Sequence, residues 1–143
     1  MPVCTVRFLF VLVACTFLIR CTERKPANKF SDDTLVRIVD FQDRRLSDSL
    51  YQFLTHSDET YRQHAALAFA SIQDTAATGL LGELLLNDPS AAVRLNAAFA
   101  LGQTDGKRSS TLLIQASERE ADSLVLQTIL EAIGKVADAS EIR

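Results

Sequence analysis

The feature that most constrains this chain is an internal repeat with a period of 32 residues. Residues 93–102, VRLNAAFALG, align with residues 61–70 upstream and with residues 125–134 downstream, and one set of apolar positions is kept in all three copies. Gly102 aligns with Gly134. A fixed period of this length is typical of stacked helical units, none of which can bury its apolar side alone.

Each copy has apolar residues at i, i+4, i+7 and i+8, which form one stripe along a helix with 3.6 residues per turn. A shorter apolar stretch precedes each copy, so we expect a pair of helices in every repeat. Glycine and proline are scarce and strand-like alternation is absent, which predicts an all-α fold. The stripes are Tyr61, Ala65, Ala68, Phe69 and Ile72; Val93, Ala97, Ala100 and Leu101; and Val125, Ile129, Ala132, Ile133 and Val136.

Turn residues separate the helices. Pro89 cannot continue a helix interior, and Ser90 is predicted to cap the helix that follows. Gly106 is expected to close the second pair in a left-handed conformation. Four alanines predict close approach of neighbouring helices, because bulkier side chains would push the layers apart. They are Ala65, Ala66, Ala97 and Ala98.

These patterns predict a short right-handed α–α superhelix, or solenoid, with three repeats at residues 46–74, 75–106 and 107–138. Residues 31–45 are predicted to form an N-terminal capping helix, since Ser31, Asp32 and Asp33 supply a cap and first-turn carboxylates. Residues 139–143 are a tail or a truncation point. The last helix is apolar on more than one side, so we expect another protein, further repeats or a further domain to dock on the third repeat.

The N-terminus carries an apolar run at residues 8–19, preceded by Arg7. As a helix this run would be roughly 18 Å long, which is too short for a bilayer core of about 30 Å. It is typical of a signal peptide. We therefore expect a signal or anchor helix at residues 1–21 and a polar tether at residues 22–30.

The residues that end this segment, Leu18 to Cys21, resemble a bacterial lipoprotein cleavage box, which would make Cys21 the lipid-bearing residue. Arg20 departs from the pattern, because a small residue is usual there. Cleavage at Cys15, ordinary secretion with an incidental cysteine, and an uncleaved anchor are the alternatives. The expected location is the periplasm or the outer membrane, with a lipid anchor.

Composition excludes several classes of site. The three cysteines all lie within residues 1–21, so neither a disulfide framework nor a cysteine metal site is expected in the folded part. His56 and His64 lack the spacing of a metal site, and the chain has no glycine-rich phosphate loop. A net charge of −3 argues against binding to a nucleic-acid backbone. We expect no catalytic residue, no metal and no cofactor.

Residues 87–89, Asn-Asp-Pro, followed by Val93-Arg94 and by AAFALG at residues 97–102, resemble the signature of HEAT repeats of the phycobilisome-lyase-like subgroup. The resemblance covers roughly residues 31–138 and implies a solenoid of helix pairs. It weakens at Ala70, where glycine is expected, and at Leu126, where arginine is expected. Bilin-lyase activity would rest on fold alone, and fold does not give function.

The resemblance also implies that Arg62 and Arg94 are structural, each paired with an acidic residue of the inter-helix turn, Asp58 and Asp88. Anion or carboxylate capture on the inner surface is the alternative. We interpret the chain as a non-catalytic scaffold for protein–protein interaction at the cell envelope. Its predicted partner-binding residues are polar side chains on the second helices, namely Gln63, Asn96 and Gln127.

A resemblance to a narrower group of proteins implies an alternative function. Residues 29–32, 43–45 and 68–74 are similar to the start of exported bacterial proteins that join HEAT repeats to a C-terminal cyclophilin-type peptidyl-prolyl isomerase domain. Nothing in this chain resembles that domain. The likeness implies an N-terminal arm that positions client chains beside a catalytic domain.

Overall fold

The computed structural model describes residues 31–104 and 106–141, with only the helical backbone of residues 138–141. This part contains seven α-helices and no strand, which confirms the all-α prediction for it. The predicted signal peptide, the tether and Cys21 lie outside the described residues. The helices are α1 (Asp33–Asp43), α2 (Ser47–Leu54), α3 (Glu59–Ile72), α4 (Thr78–Asn87), α5 (Ala91–Leu101), α6 (Lys107–Ser117) and α7 (Ser123–Glu141), and a 3₁₀ turn at Thr75–Ala77 leads into α4.

The helices form two layers. In one layer α1 packs against α3, α3 against α5, and α5 against α7; in the other, α2, α4 and α6 follow one another. Each helix of the second layer also packs against its successor in the chain, so the repeats are α2–α3, α4–α5 and α6–α7. Helix α1 therefore lies at the open end of the first repeat. Helix α7 runs to Glu141, three residues beyond the predicted end of the third repeat.

Aspartates cap most helices of the first layer. The carboxylates of Asp32, Asp58 and Asp122 each accept hydrogen bonds from first-turn backbone amides of α1, α3 and α7, over 2.8–3.1 Å. Such a cap satisfies amides that have no partner inside the helix. Ser90 is the N-cap of α5, as predicted, but its side chain makes no capping hydrogen bond. Instead its own backbone amide donates to the Asp88 carboxylate.

The predicted stripes form the core. Their members are buried, apart from Tyr61 and Ile133, which are partly buried and pack against it. The four alanines predicted at helix contacts are fully buried, which confirms the close approach. Overpacking at such sites is costly because the surrounding helices would have to move.

Two glycines mark the closest contacts between repeats. A Cβ atom added to Gly102 would lie 2.6 Å from the Cβ of Ala132, and one added to Gly82 would lie 2.7 Å from a methyl of Leu112. Gly106 has a positive φ of 144°, a region that glycine tolerates best. However, it stands at the N-cap of α6 with φ 144° and ψ 153°, not as a left-handed residue at the end of α5.

Within residues 31–104 and 106–141, no helix combines the length and the apolar character needed to cross a bilayer.

Candidate functional site

Arg62, in the first turn of α3, connects the first repeat to the second. Its Nε donates to Oδ2 of Asp88 over 2.7 Å, and its Nη2 donates to Oδ1 over 3.1 Å. Its Nη1 donates to the backbone carbonyls of His56 and Ser57, over 2.8 and 2.9 Å. The guanidinium thus ties its own inter-helix turn to the turn of the next repeat.

Arg94, in α5, makes the same set of contacts one period later. Its Nε and Nη2 donate to the two carboxylate oxygens of Glu120, over 2.8 and 3.0 Å. Its Nη1 donates to the carbonyls of Asp88 and Pro89, over 3.0 and 3.3 Å. Every partner lies 32 residues after its counterpart at Arg62, so the sequence period is also a period of side-chain contacts.

The predicted partners of these arginines are wrong by one repeat. Asp58 was expected to pair with Arg62, but its carboxylate caps α3. Asp88 was expected to pair with Arg94, but its carboxylate binds Arg62. Each arginine binds the acidic residue 26 positions later, in the turn that follows. The signal in the sequence was the presence of acidic residues 32 apart, at Asp88 and Glu120.

The contacts of Arg62 and Arg94 also argue against the alternative that these side chains capture an anion. Four N–H groups of each guanidinium donate within the protein, and each cation faces a carboxylate. Clefts of about 460 and 270 Å³ lie over these two junctions. Hydrogen bonds from Arg94 lower the pKa of Glu120, although its burial alone would raise it. Both members of the pair are therefore charged near neutral pH, and the arrangement fits a fixed connection between repeats better than a receptor for anions.

Two tyrosine–aspartate pairs make further connections that the sequence did not reveal. The hydroxyl of Tyr61 donates to Asp32 over 2.9 Å, between α3 and the cap of α1. The hydroxyl of Tyr51 donates to Asp74 over 2.9 Å, between α2 and the turn before α4. Burial, and then the neighbouring Asp74, raises the pKa of Tyr51 to about 12.

Both histidines lie within the first repeat. The Nδ1 of His56 accepts a hydrogen bond from the backbone amide of Asp58 over 3.0 Å, inside the first inter-helix turn. Across the part of the chain that the structure describes, no three His, Cys, Asp or Glu side chains come close enough together to hold a metal ion.

The three residues predicted to bind a partner do not form one exposed set. Asn96 is only 8% exposed, and its amide donates to the backbone carbonyl of Gln63 in α3 over 3.3 Å. The side chain of Asn96 thus faces the preceding helix, and its role in binding a partner stays a prediction. Gln127 is exposed and donates to Glu131 on its own helix over 3.0 Å. For Gln63 and Gln127 a role in binding stays a prediction.

The structure instead exposes large apolar side chains on the solvent-facing side of α3, α5 and α7, which we call the outer surface. Leu67 in α3 and Phe99 in α5 occupy the same place in successive repeats and are 42% and 37% exposed. Leu124 in α7 is 60% exposed. The ammonium group of Lys135 lies 5.2 Å from the centre of the Phe99 ring, so α5 and α7 also meet at this surface.

Sequence reasoning missed these positions because it searched the second helices for polar side chains. The available signal was an apolar residue outside the buried stripe, at Leu67 and Phe99. Apolar side chains that face solvent at matching places on adjacent helices are typical of a surface that contacts another protein.

Comparison with models of known protein families matches residues 40–141 to HEAT repeats. No curated protein matches the chain. The family match covers most of the described helices and includes both arginine connections. The chain therefore belongs to the HEAT-repeat family.

Proposed function

We propose that this chain is a non-catalytic scaffold that binds another protein on the outer surface of α3, α5 and α7, at the bacterial cell envelope. The observation that carries the proposal is the exposure of Leu67 and Phe99 at matching places in α3 and α5, together with that of Leu124 in α7. Leu124 lies seven residues, about two helical turns, before the matching residue Glu131 and therefore on the same side of its helix. A stack of repeats presents such positions as one extended surface. Burial of these side chains by a partner would be favourable.

The roles of the charged and phenolic groups support a scaffold. Arg62 and Arg94 hold neighbouring repeats together, and the hydroxyls of Tyr51 and Tyr61 are hydrogen-bonded to aspartates. These groups fix the relative positions of the repeats. A fixed spacing between repeats keeps the outer surface in shape for a partner, and this preorganisation lowers the entropy cost of binding.

A photo-crosslinking amino acid at Phe99 tests the binding surface in cells. Thr111 provides the matched position, because it is exposed on α6 in the other layer. We expect a protein adduct from position 99 and none from position 111, and we expect Leu124→Lys to reduce its yield. Equal adducts from both positions, or an adduct that Leu124→Lys leaves unchanged, would contradict the proposal.

The envelope location is supported by the apolar run at residues 8–19 and by Cys21. Mass spectrometry of the mature N-terminus, on protein isolated from its own host, tests it. We expect a chain that begins with a lipid-modified Cys21. An unprocessed chain that begins at Met1 and is recovered outside the envelope fractions would contradict this location.

A second candidate is the arm of a cyclophilin-type isomerase, supported by the likeness of residues 29–32, 43–45 and 68–74 to such proteins. The gene sequence after codon 143 tests it. A reading frame that continues into a β-rich domain would support the arm, and a stop codon would exclude it.

A further inference from the structure

The third repeat has a side that points away from the second repeat, which we call the forward face. It consists of Ile114 in α6 and of Leu126, Leu130, Ile133 and Gly134 in α7. Ile114 and Leu130 are 50% and 57% exposed. Burial of large apolar side chains with this exposure by a covering surface is favourable.

The forward face continues an interface that the molecule already uses twice. The positions of Leu130 and Ile133 are fully buried in both earlier repeats, where they hold Ala98 and Leu101 in α5 and Ala66 and Phe69 in α3. The second helix of the next repeat packs against each of these two helices. A surface of this kind therefore receives a following helix pair at both internal junctions.

Gly134 shows the same relationship at the level of one atom. A Cβ atom added to its counterpart Gly102 would lie 2.6 Å from the Cβ of Ala132 in the next repeat, whereas one added to Gly134 would meet nothing within 4 Å. The close-contact position is thus present on the forward face, and within the described residues nothing occupies the space beside it.

The path of the chain bears on where a covering repeat comes from. Helix α5 ends at Leu101 and the chain turns back, so that α6 begins at Lys107 in the other layer. One period later these positions are 133 and 139, and α7 runs through both as one helix that ends at Glu141. Within the described residues, the third repeat therefore lacks the turn by which the second repeat leads into the next. This path favours a covering repeat that belongs to another polypeptide.

The charge at this junction restricts the covering repeat. Arg62 and Arg94 each bind a carboxylate in the turn of the repeat that follows. Leu126 stands at the same place in the third repeat. A carboxylate brought against it would be buried without a counter-charge, which is costly. The covering repeat therefore needs an uncharged residue where Asp88 and Glu120 stand in this chain.

Ile114 adds a requirement of size. Its counterpart in the second repeat is Gly82, where an added Cβ atom would lie 2.7 Å from a methyl group of Leu112. Isoleucine at this place leaves no room for a leucine in the covering helix, and overpacking of this kind is destabilising. The first helix of the covering repeat therefore needs a smaller residue where Leu112 stands, so that repeat differs from the second and third repeats of this chain.

We propose that the forward face binds a HEAT-type helix pair of another protein, which stacks on α6 and α7 as each internal repeat stacks on the one before it. The second helix of this pair places a small side chain against Gly134, as Ala132 lies against Gly102. Its inter-helix turn places an uncharged residue against Leu126. This contact does not depend on the outer surface proposed for partner binding.

A photo-crosslinking amino acid at Leu130, in the full chain expressed in its own host, tests the proposal. We expect an adduct with a different polypeptide. Mass spectrometry of the crosslinked peptide should locate the attachment in the second helix of a HEAT-type helix pair, within one turn of an alanine, glycine or serine. The sequence of that pair should show an uncharged residue at the place of Glu120.

Leu126→Arg is the disruptive variant and should reduce the adduct yield about tenfold, because the partner would cover a guanidinium that lacks its carboxylate. We expect it to fold, since Arg62 and Arg94 occupy this place and donate to carbonyls of their own turns. Leu124→Arg is the matched control, since it makes the same change two residues and about 200° away on the same helix. It should leave the yield within about twofold.

Gly134→Leu fills the space beside the close-contact position and should lower the yield in the same direction as Leu126→Arg. Circular dichroism and thermal unfolding establish that each variant folds. Attachment to a second copy, to residues 1–30, to a segment of the same polypeptide after residue 143 or to a protein without HEAT-type helices overturns the proposal. The absence of an adduct overturns it as well, and so does equal loss in Leu126→Arg and Leu124→Arg. Loss of the adduct at position 99 while that at position 130 persists contradicts only the proposed binding function.

Discussion

Arg94 and Glu120 reproduce, 32 residues later along the chain, the two-bond ion pair that Arg62 forms with Asp88. In both cases one guanidinium binds two carbonyls of its own turn and the carboxylate of the next turn. Each arginine therefore connects three places in the chain. Such a pair fixes which residues of adjacent repeats lie opposite each other.

The first prediction concerns the loss of this connection. Arg94→Met leaves the carboxylate of Glu120 without its ionic partner, and that side chain is largely buried. We expect the free energy of unfolding, measured by urea denaturation, to fall by about 2–4 kcal/mol.

The matched control is Arg44→Met, which removes an ion pair with Asp40 in which both side chains are exposed. Exposed pairs of this kind contribute little, so the loss should stay below about 1 kcal/mol. The double variant Arg94→Met/Glu120→Met removes both charges and should be less destabilised than Arg94→Met. If Arg94→Met lowers the free energy of unfolding no more than Arg44→Met does, the connection does not stabilise the stack of repeats.

The second prediction is a pH dependence. Hydrogen bonds from Arg94 hold the pKa of Glu120 below its ordinary value of 4.5. A lowered carboxyl pKa stabilises the fold above the pKa of the unfolded chain, and this stabilisation is lost as the pH falls through the folded pKa.

The measurement is the difference in unfolding free energy between the natural protein and Glu120→Gln. We expect this difference to be largest near about pH 7 and to shrink below about pH 4.5, as Glu120 becomes protonated in both states. Other carboxyls titrate in both proteins and cancel in the difference. A difference that does not change with pH would mean that the charge of Glu120 is unimportant.

The buried stripes and the alanine contacts could be predicted from sequence, because they depend only on the helix period and on side-chain size. Ala97 and Ala98 are fully buried as expected. Each arginine's partner could not be identified in this way. Asp58 is nearer to Arg62 in sequence than Asp88 is, and the choice depends on how the second repeat stacks on the first.

The proposed binding surface was harder to predict for a related reason. A polar side chain on a helix faces solvent only if no neighbouring helix reaches it, and α3 reaches Asn96. A pattern-based reading assigns apolar side chains to the core. Phe99 departs from this rule, because it lies at the edge of the buried stripe of its helix and is partly exposed to solvent. The sequence period defines the repeats, but the lateral contacts between helices decide which faces stay open.

The third prediction concerns Tyr51, whose pKa is raised to about 12 by burial and by Asp74. Tyr61→Phe leaves Tyr51 as the remaining tyrosine of the two in the chain. Ultraviolet absorbance of tyrosinate during an alkaline titration should show half-ionisation close to pH 12 in the folded protein.

Asp74→Asn in the same background is the control and should move the transition towards 10, the ordinary value. Because the folded pKa is raised, this hydrogen bond stabilises the fold below about pH 10 and its contribution is lost as the pH rises further. An unchanged transition in Asp74→Asn would assign the whole shift to burial.

The last prediction compares two glycines at the same place in successive repeats. Gly102→Ala puts a methyl group 2.6 Å from the Cβ of Ala132 and 2.9 Å from its Cα, so α5 and α7 must separate. We expect a loss of about 1–3 kcal/mol in unfolding free energy.

Gly134→Ala is the control, because it adds the same methyl group in the interior of α7, where nothing lies within 4 Å. Its unfolding free energy should rise by up to about 1 kcal/mol, because alanine loses less entropy in a helix than glycine does. Both are measured by urea denaturation. Opposite signs would establish that the contact with the next repeat, and not helix propensity, requires glycine at residue 102; a loss of equal size at both positions would show that the glycines serve the backbone instead.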